Sequence, residues 1–382
     1  MRQQLKCALL GLSFQELTRI MEGFSQPSYR ARQLYQAIYS QRMGELQAIS
    51  TLPVDFRDQL TREGYSVGLP EIQKKFSSKD GTIRYLMAFP DGQSVETVWM
   101  PEGDGGEAGD GSEADLEISE SLAPDQADKD WREGKFNRAT ICISSQAGCA
   151  VNCQFCMTAL LGLQRNLTAG EIVGQVLAVL NDRGVSIDRE RINLVFMGQG
   201  EPFLNYENFM QAVRLLSDPE GIGIPASRMT VSTAGIVPRI HDFGEEPLRP
   251  KLAISLNASN DAARTSIMPI NKKWDLHQLL AAAREFPLRN RERLTFEYVL
   301  LDGVNDGEQQ AHELVELVRG MRAKINLIAL NPGPDIHFST PAEQRVLAFQ
   351  KILRDAGIPA YIRRPRGRDI YAACGQLKRT VA

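Results

Sequence analysis

Residues 139–156 read ATICISSQAGCAVNCQFC, a short run rich in β-branched residues that is followed closely by three cysteines. Residues 139–144 predict a strand, because β-branched side chains favour extended structure. Five further runs of the same kind follow along the chain. They lie at residues 192–197, 229–232, 252–257, 294–301 and 325–330.

Helical patterns separate most of these predicted strands. One of them opens with Thr168 and Glu171, which have the spacing of a capping box. Six βα repeats in a row predict an α/β fold with a parallel sheet and right-handed crossovers. Periodicity alone leaves open whether this sheet closes into a barrel. In such barrels, reactive side chains gather at the C-terminal ends of the strands.

The chain divides into four regions by pattern and composition. Residues 1–70 carry apolar residues at helical spacing and predict a small helical accessory domain. Residues 71–138 predict a β element that carries an insertion at 101–130. The βα repeats occupy residues 139–360, and residues 361–382 form a basic C-terminal segment.

The net charge of −3 on 382 residues is unevenly distributed. Residues 101–130 hold eleven acidic residues and one lysine, and predict a disordered acidic surface loop of charge −10. The other 352 residues hold 43 Lys and Arg against 36 Asp and Glu, a net charge of +7. The net charge of the whole chain argues against an RNA partner. The net charge of +7 outside residues 101–130 is compatible with one. The arginine-rich run that begins at Arg363 fits a solvated face or a phosphate-contacting site.

Composition also bounds the class of protein. With 43% hydrophobic residues the chain can bury at least one full core, which excludes a disordered or collagen-like chain. No apolar stretch approaches the roughly 18 residues that span a bilayer, and the first residues lack a convincing signal-peptide pattern. We therefore expect a cytoplasmic protein with no membrane partner.

Cys149, Cys153 and Cys156 indicate a metal or cluster site, because disulfides are rare in the cytoplasm and such short loops bridge poorly. Structural zinc would need a fourth ligand at comparable spacing, and the nearest histidine is His241. Three thiolates instead suit a [4Fe-4S] cluster with one iron left open.

Polar motifs follow the other predicted strands. After the second strand come Gly200 and Glu201, where glycine permits close backbone approach and a carboxylate could bind a ligand's ammonium group. Ser232, the run 255–257 and Asn331 lie at the ends of the third, fourth and sixth strands. Each alone is an ordinary turn signal, and their joint placement at one rim predicts a binding site.

Two cysteines lie outside the triplet and are candidates for chemistry. Cys142 lies within the first predicted strand, and Cys374 follows four arginines closely. Nearby arginines would favour the thiolate, which is the nucleophilic form of cysteine. Cys7 is interpreted as a small hydrophobic residue.

The Cys-x3-Cys-x2-Cys spacing resembles the radical S-adenosylmethionine (SAM) superfamily, and longer stretches resemble its RlmN/Cfr family of RNA methyltransferases. The stretches that carry the resemblance are Glu96-Thr97-Val98, residues 142–156, Gly200-Glu201-Pro202, residues 231–235, Ser255-Leu256, Asn331-Pro332 and residues 373–377. The resemblance implies a partial (βα)6 TIM-like radical SAM barrel with a small N-terminal helical accessory domain that binds RNA.

The resemblance also implies a mechanism. One SAM would methylate Cys374, and a second SAM at the cluster would yield an adenosyl radical that activates the S-methyl group for addition to adenine. Glu96 would remove the ring proton, and Cys142 would release the product by attacking the sulfur of Cys374, leaving a disulfide. By the same analogy SAM would be held by Gly200, Glu201, Ser232, Ser255, Leu256, Asn257 and Asn331.

The implied partners are 23S rRNA, with tRNA as a possible second substrate, and an electron donor such as flavodoxin or ferredoxin; the enzyme is expected to be a monomer. The family usually has His at the position of Asn257 and, in RlmN members, Met at that of Gln199. Methylation at C2 of adenine is the leading hypothesis, and a Cfr-like enzyme acting at C8 is the nearest alternative. A radical enzyme with a non-RNA substrate and a non-enzymatic RNA-binding module with a metal or cluster also stay open.

Overall fold

The computed structural model describes residues 7–101 and 138–378, and in these ranges the main feature is one ten-stranded sheet. The strands in these two ranges are β1 (Cys7–Ala8), β2 (Tyr65–Ser66), β3 (Glu71–Ser77), β4 (Ile83–Ala88), β5 (Ser94–Pro101), β6 (Arg138–Cys142), β7 (Gln146–Gly148), β8 (Leu163–Asn166), β9 (Arg191–Phe196), β10 (Met229–Thr233), β11 (Lys251–Ser255), β12 (Leu294–Leu300), β13 (Ala323–Ala329) and β14 (Ala360–Ile362). The order in the large sheet is β14-β13-β12-β11-β10-β9-β6-β5-β4-β3.

Seven neighbouring strands of this sheet, β6 and β9 to β14, run parallel. The predicted α/β fold with a parallel sheet is therefore confirmed, and each of the six predicted strands corresponds to one of these seven. The seventh strand, β14, was not predicted. Among the described residues β3 and β14 form the two edges, so the sheet is open rather than a closed barrel.

Strands β3, β4 and β5 extend the parallel sheet by antiparallel pairing, and β5 pairs directly with β6. Val98 lies opposite Cys142, and Pro101 lies opposite Ala139. Pro101 and Arg138, the described residues on either side of the gap, thus both lie at the N-terminal end of β6. Apart from Pro101, the acidic segment predicted at 101–130 lies outside the described residues.

Of the described helices, three precede the large sheet in the chain, and the others follow or connect its parallel strands. They are α1 (Phe14–Gly23), α2 (Tyr29–Tyr35), α3 (Val54–Arg62), α4 (Ala169–Arg183), α5 (Tyr206–Ser217), α6 (Val237–Glu245), α7 (Asp261–Ile267), α8 (Leu276–Glu285), α9 (Glu308–Val318) and α10 (Glu343–Asp355). The capping box predicted at Thr168 is present: its hydroxyl accepts from the Glu171 amide at 3.1 Å, and the Glu171 carboxylate accepts from the Thr168 amide at 2.9 Å. In the two described ranges, no helix has both the length and the apolar character to cross a bilayer.

The N-terminal helices share one hydrophobic core with the sheet. The Tyr35 hydroxyl donates to Asp218, which follows α5, at 2.5 Å. In the first turn of α4, a Cβ atom added to Gly170 would lie 2.1 Å from the Leu10 carbonyl oxygen. This close approach requires glycine and fixes the N-terminal residues against the helix that follows the cysteine triplet.

Candidate active site

A cleft at the C-terminal ends of the parallel strands collects most of the predicted site residues. It contains about 1050 Å³ of empty space when its solvent-open part is counted. The predicted residues that line it are Cys149, Cys153, Cys156, Gly200, Glu201, Ser232, Ser255, Asn257, Asn331 and Cys374. Glu96, Cys142 and Leu256 are not among the lining residues: Glu96 and Leu256 are buried, and Cys142 is partly buried.

The cysteine triplet lies in the loop between β7 and β8, and glycine makes this loop possible. Gly148 has a φ of +79°, and a Cβ atom there would lie 1.7 Å from the Gly162 carbonyl oxygen. The Cys149 amide donates to the same carbonyl at 3.1 Å, which closes the loop at its base. The sequence therefore folds the three thiols back toward the ends of the parallel strands.

The electrostatics of the triplet fit a positively charged iron-sulfur centre. Burial raises the pKa of the Cys149 thiol to about 12 and raises the pKa values of Cys153 and Cys156. The thiols therefore stay protonated until bound iron supplies compensating charge. The Arg264 guanidinium acts against the rise at Cys153, so one buried cation already favours its thiolate.

In the described part of the chain, no three His, Cys, Asp or Glu side chains converge on a single metal ion. A [4Fe-4S] cluster does not need such convergence, because each thiolate binds a different iron.

Glu201 presents a buried carboxyl group to the cleft. Its two oxygens accept hydrogen bonds from the backbone amides of Phe203 at 3.0 Å and Ala234 at 2.7 Å. Burial nevertheless raises the pKa of Glu201 to about 7. A ligand ammonium group placed here would restore the carboxylate, because an opposite charge stabilises the ionised form.

The ends of β10 and β11 add small polar groups. The hydroxyl oxygens of Ser232 and Ser255 lie 3.3 Å apart on the cleft wall. Asn257 adopts a φ of +58°, a conformation that asparagine tolerates better than most residues, and its side-chain oxygen accepts from the Val299 amide at 2.8 Å. Leu256 is buried, and its carbonyl accepts from Arg264 at 3.0 Å. Leu256 is thus placed to support the wall through its backbone.

The segment 371–377 carries Cys374, which lines the cleft together with Gly375. The Met157 amide donates to the Gly375 carbonyl at 2.7 Å, and the Thr158 hydroxyl donates to the Leu377 carbonyl at 2.8 Å. These bonds join the segment directly to the loop of the cysteine triplet. The side-chain nitrogen of Asn331 donates to the Cys374 carbonyl at 3.5 Å.

Cys142 lies at the end of β6, beneath this segment. It packs with Val98, Ala372 and Leu377 in a small apolar cluster. Burial raises the pKa of the Cys142 thiol, and the nearby Cys374 raises it further. The structure therefore brings Cys142 and Cys374 together. The disulfide that the resemblance implied is not formed between them, and none forms elsewhere in the described ranges, which include all six cysteines.

Glu96 lies on β5 and is fully buried. One carboxylate oxygen is paired with the guanidinium of Arg84, whose side chain is also fully buried. The other accepts from the Gln199 amide nitrogen at 3.1 Å. Because side chains alternate along a strand, Glu96 lies on the same face of β5 as Val98, which packs against the Cys374 segment.

Several side chains that support the site carry no individual signal in the sequence. Gln146 accepts from the Glu201 amide at 2.8 Å, Arg264 lies beside Cys153, and Thr158 binds the Cys374 segment. Gln146 was singled out only as part of the family resemblance. The other two became visible only when the fold placed distant segments side by side.

The fold and the cleft define a radical SAM enzyme, and comparison with known proteins supports that class. The family model for the Radical SAM superfamily matches residues 143–315. The chain is similar to the crystal structure of a radical SAM methyltransferase from Sphaerobacter thermophilus, with 40% sequence identity and a TM-score of 0.85. The match covers 97% of this chain and 99% of the other chain.

Two curated relatives narrow the class further. A probable dual-specificity RNA methyltransferase RlmN from Koribacter versatilis is 64% identical over 94% of this chain and 98% of its own length. A dual-specificity RNA methyltransferase RlmN from Syntrophobacter fumaroxidans is 42% identical over 95% of each chain. The chain belongs to the RlmN family of radical SAM methyltransferases, and its cofactors are a [4Fe-4S] cluster and SAM.

Proposed function

We propose that this enzyme methylates C2 of an adenine in 23S rRNA, and of an adenine in tRNA as a second substrate, through an S-methyl intermediate on Cys374. The observation that carries the proposal is the placement of Cys374. It lines the same cleft as the cysteine triplet, and it lies close enough to Cys142 to shift that thiol's pKa. A methyl carrier and a releasing thiol need this arrangement.

The cofactors would be held by residues of the cleft. Cys149, Cys153 and Cys156 would bind the cluster, and Glu201 would bind the ammonium group of SAM, with Gly200, Ser232, Ser255, Leu256, Asn257 and Asn331 completing the site. Bound there, cluster and SAM supply the methyl group and a one-electron route to C–H activation. That route is needed because an electrophilic ring carbon cannot displace the methyl group of SAM directly.

The chain's own side chains would carry the remaining steps. The Cys374 sulfur would accept the methyl group, two SAM molecules being used in each turnover. Glu96 would accept the ring proton of the covalent RNA adduct. The Cys142 thiol would then lose its proton and its sulfur would attack the Cys374 sulfur, forming an S–S bond while the S–C bond to the product breaks. The released methylene group would take up a proton and become the methyl group of the product. The disulfide is thus expected only after a turnover.

The segment that carries Cys374 must move during this cycle. Glu96 and Gln199 are fully buried, and Ala372 and Leu377 pack on the same strand face as Glu96. Admission of an adenine therefore requires residues 371–377 to shift. The basic run from Arg363 to Arg368, next to this segment, would contact RNA phosphates. The enzyme would act as a cytoplasmic monomer and receive electrons from flavodoxin or ferredoxin.

Anaerobic reconstitution of the full chain tests the proposal. With SAM, a reductant and an RNA transcript, wild type should form 5′-deoxyadenosine, and nucleoside mass spectrometry should find 2-methyladenosine. Cys374→Ala should abolish RNA methylation while keeping the absorbance of the cluster. Cys7→Ala, a change at an exposed cysteine of β1, is the matched control and should methylate as wild type does.

Other products would identify the alternatives. 8-Methyladenosine would show a C8-specific enzyme. Full turnover of a non-RNA substrate by Cys374→Ala would show a different radical enzyme. RNA binding without 5′-deoxyadenosine would show a binding module.

A further inference from the structure

Gln199 is a fully buried residue on the loop after β9, between two glycines that line the cleft. Its backbone is fixed on both sides. The Gln199 amide donates to the Ser144 hydroxyl at 2.9 Å, and its carbonyl accepts from the Ser145 amide at 2.8 Å. The position of Gln199 is therefore set by the residues that directly follow β6, the strand that carries Cys142.

The side-chain amide of Gln199 is only partly used. Its nitrogen donates to Glu96 at 3.1 Å, whereas its oxygen has no hydrogen-bond partner among the described residues. If the side-chain amide of Gln199 were flipped, its oxygen would lie against an oxygen of the Glu96 carboxylate, and the two acceptors would repel each other. The Glu96 carboxylate therefore fixes which way the Gln199 amide points. A buried acceptor without a donor costs free energy, and its persistence beside a site calls for a missing partner.

An adenine edge offers the groups that this amide lacks. Glutamine pairs with adenine through two bonds: its oxygen accepts from the exocyclic amine, and its nitrogen donates to a ring nitrogen. In the purine ring that nitrogen is N1 or N7, and the next carbon beyond it is C2 or C8. In either pairing, the carbon to be methylated lies next to the ring nitrogen that binds the side-chain nitrogen of Gln199. Glu96 accepts from that same side-chain nitrogen, so the carbon would lie on the side of Glu96.

We propose that Gln199 recognises the exocyclic amine of the target adenine and, through the same contact, aligns the ring carbon with Glu96. This inference rests on the proposed function, since it names how the substrate base is selected in that site. It makes Gln199 a specificity determinant, and it assigns Arg84 the positioning role of holding the other carboxylate oxygen. Enzymes that act on an extruded base read it by such edge contacts.

The test compares two RNA stem-loops that differ in one group, carrying adenosine or purine riboside at the methylated position. Purine riboside lacks the exocyclic amine but keeps both ring C–H bonds. Reconstituted wild-type enzyme should prefer adenosine by about tenfold or more in kcat/KM. Gln199→Leu should methylate both substrates more slowly and reduce that preference to about onefold.

Gln350→Leu is the matched control, because Gln350 lies on α10 and donates to the Ala360 carbonyl at 2.9 Å, outside the cleft. It should keep the wild-type preference. Gln199→Met, a change to an unbranched side chain of similar length, repeats the test if the leucine variant does not fold. Absence of a wild-type preference, or a preference that survives in the folded Gln199 variants, would overturn the inference. Failure of wild type to methylate any RNA would instead overturn the proposed function.

Discussion

At the scale of single residues, Glu201 links pH to the stability of the cofactor-free protein. Burial raises its pKa from 4.5 to about 7, so the folded state binds a proton that the unfolded state releases between these values. The stability that the neutral carboxyl contributes is complete below about pH 4.5 and is lost as the pH rises through 7. Over this window the loss is on the order of 3 kcal/mol.

We therefore expect Glu201→Gln to remove this pH dependence. Urea unfolding of the apoprotein at pH 5 and pH 8 should show the variant gaining stability relative to wild type as the pH rises. A constant offset from the altered hydrogen bonds to Phe203 and Ala234 would not affect this difference. Glu22→Gln, at an exposed position of α1, is the control and should follow wild type at both pH values. A gap between Glu201→Gln and wild type that does not change with pH would contradict the prediction.

Spacing in the sequence was sufficient to find the cysteine triplet, because its chemistry is local. Glu96 follows only from the family resemblance, whereas the arginines that precede Cys374 mark it as a candidate nucleophile and the resemblance adds its role as methyl carrier. Their partners were not predicted: Gln199 and Glu96 are 103 positions apart, and neither strand nor helix periodicity relates them. Likewise, Arg84 reaches Glu96 only through the register of β4 against β5. Such pairs follow from tertiary packing, which a pattern of single residues does not encode.

At the scale of elements, one hydroxyl links the cysteine-triplet loop to the segment that carries Cys374. Thr158→Val removes the bond to the Leu377 carbonyl and keeps the shape of the side chain. A hydrogen bond contributes about 0.5–1.5 kcal/mol net, so residues 371–377 should open about two- to tenfold more often. Hydrogen exchange of a peptide covering these residues should quicken by that factor.

Thr18→Val provides the control for this change, because its hydroxyl also donates to a backbone carbonyl, that of Phe14, within α1. It should leave exchange of the Cys374 segment unaltered. If Thr158→Val also left it unaltered, the bonds through Met157 and Gln376 would be sufficient to hold the segment.

The six predicted parallel strands and the two edge strands of the sheet differ in burial. Each of the six predicted parallel strands buries at least three of its residues, at least one of which is β-branched. By contrast, β14 has only three residues, and β3 reads EIQKKFS with mostly exposed side chains. Both are edge strands, and their extended conformation depends on a neighbour more than on their own side chains.

At the scale of the whole molecule, the point at which the acidic segment is inserted and the cleft lie at opposite ends of β6. Pro101 and Ala139 pair at the N-terminal end of β6, whereas Cys142 ends the same strand beside Cys374. We expect replacement of residues 102–130 by a short Gly-Ser linker to leave cluster content and the rate of RNA methylation within about twofold of wild type.

Binding to RNA at low salt should become equal or tighter, because the deletion removes a charge of −10 from a chain whose remainder is basic. Titration of a labelled RNA at two salt concentrations would measure this change. Loss of the cluster absorbance, or of all methylation, would show that the insertion takes part in the site. Replacing it by a linker of 29 residues without charge separates the effect of charge from that of length.

The paired junction of β5 and β6 also makes this enzyme suitable for labelling. Because the chain leaves and returns at neighbouring positions, the entropy needed to close a longer loop there increases only slowly with its length. A fluorescent protein inserted between Pro101 and Arg138 would be anchored at both ends and would lie away from the cleft. Such a fusion would allow single enzymes to be followed on their RNA during catalysis.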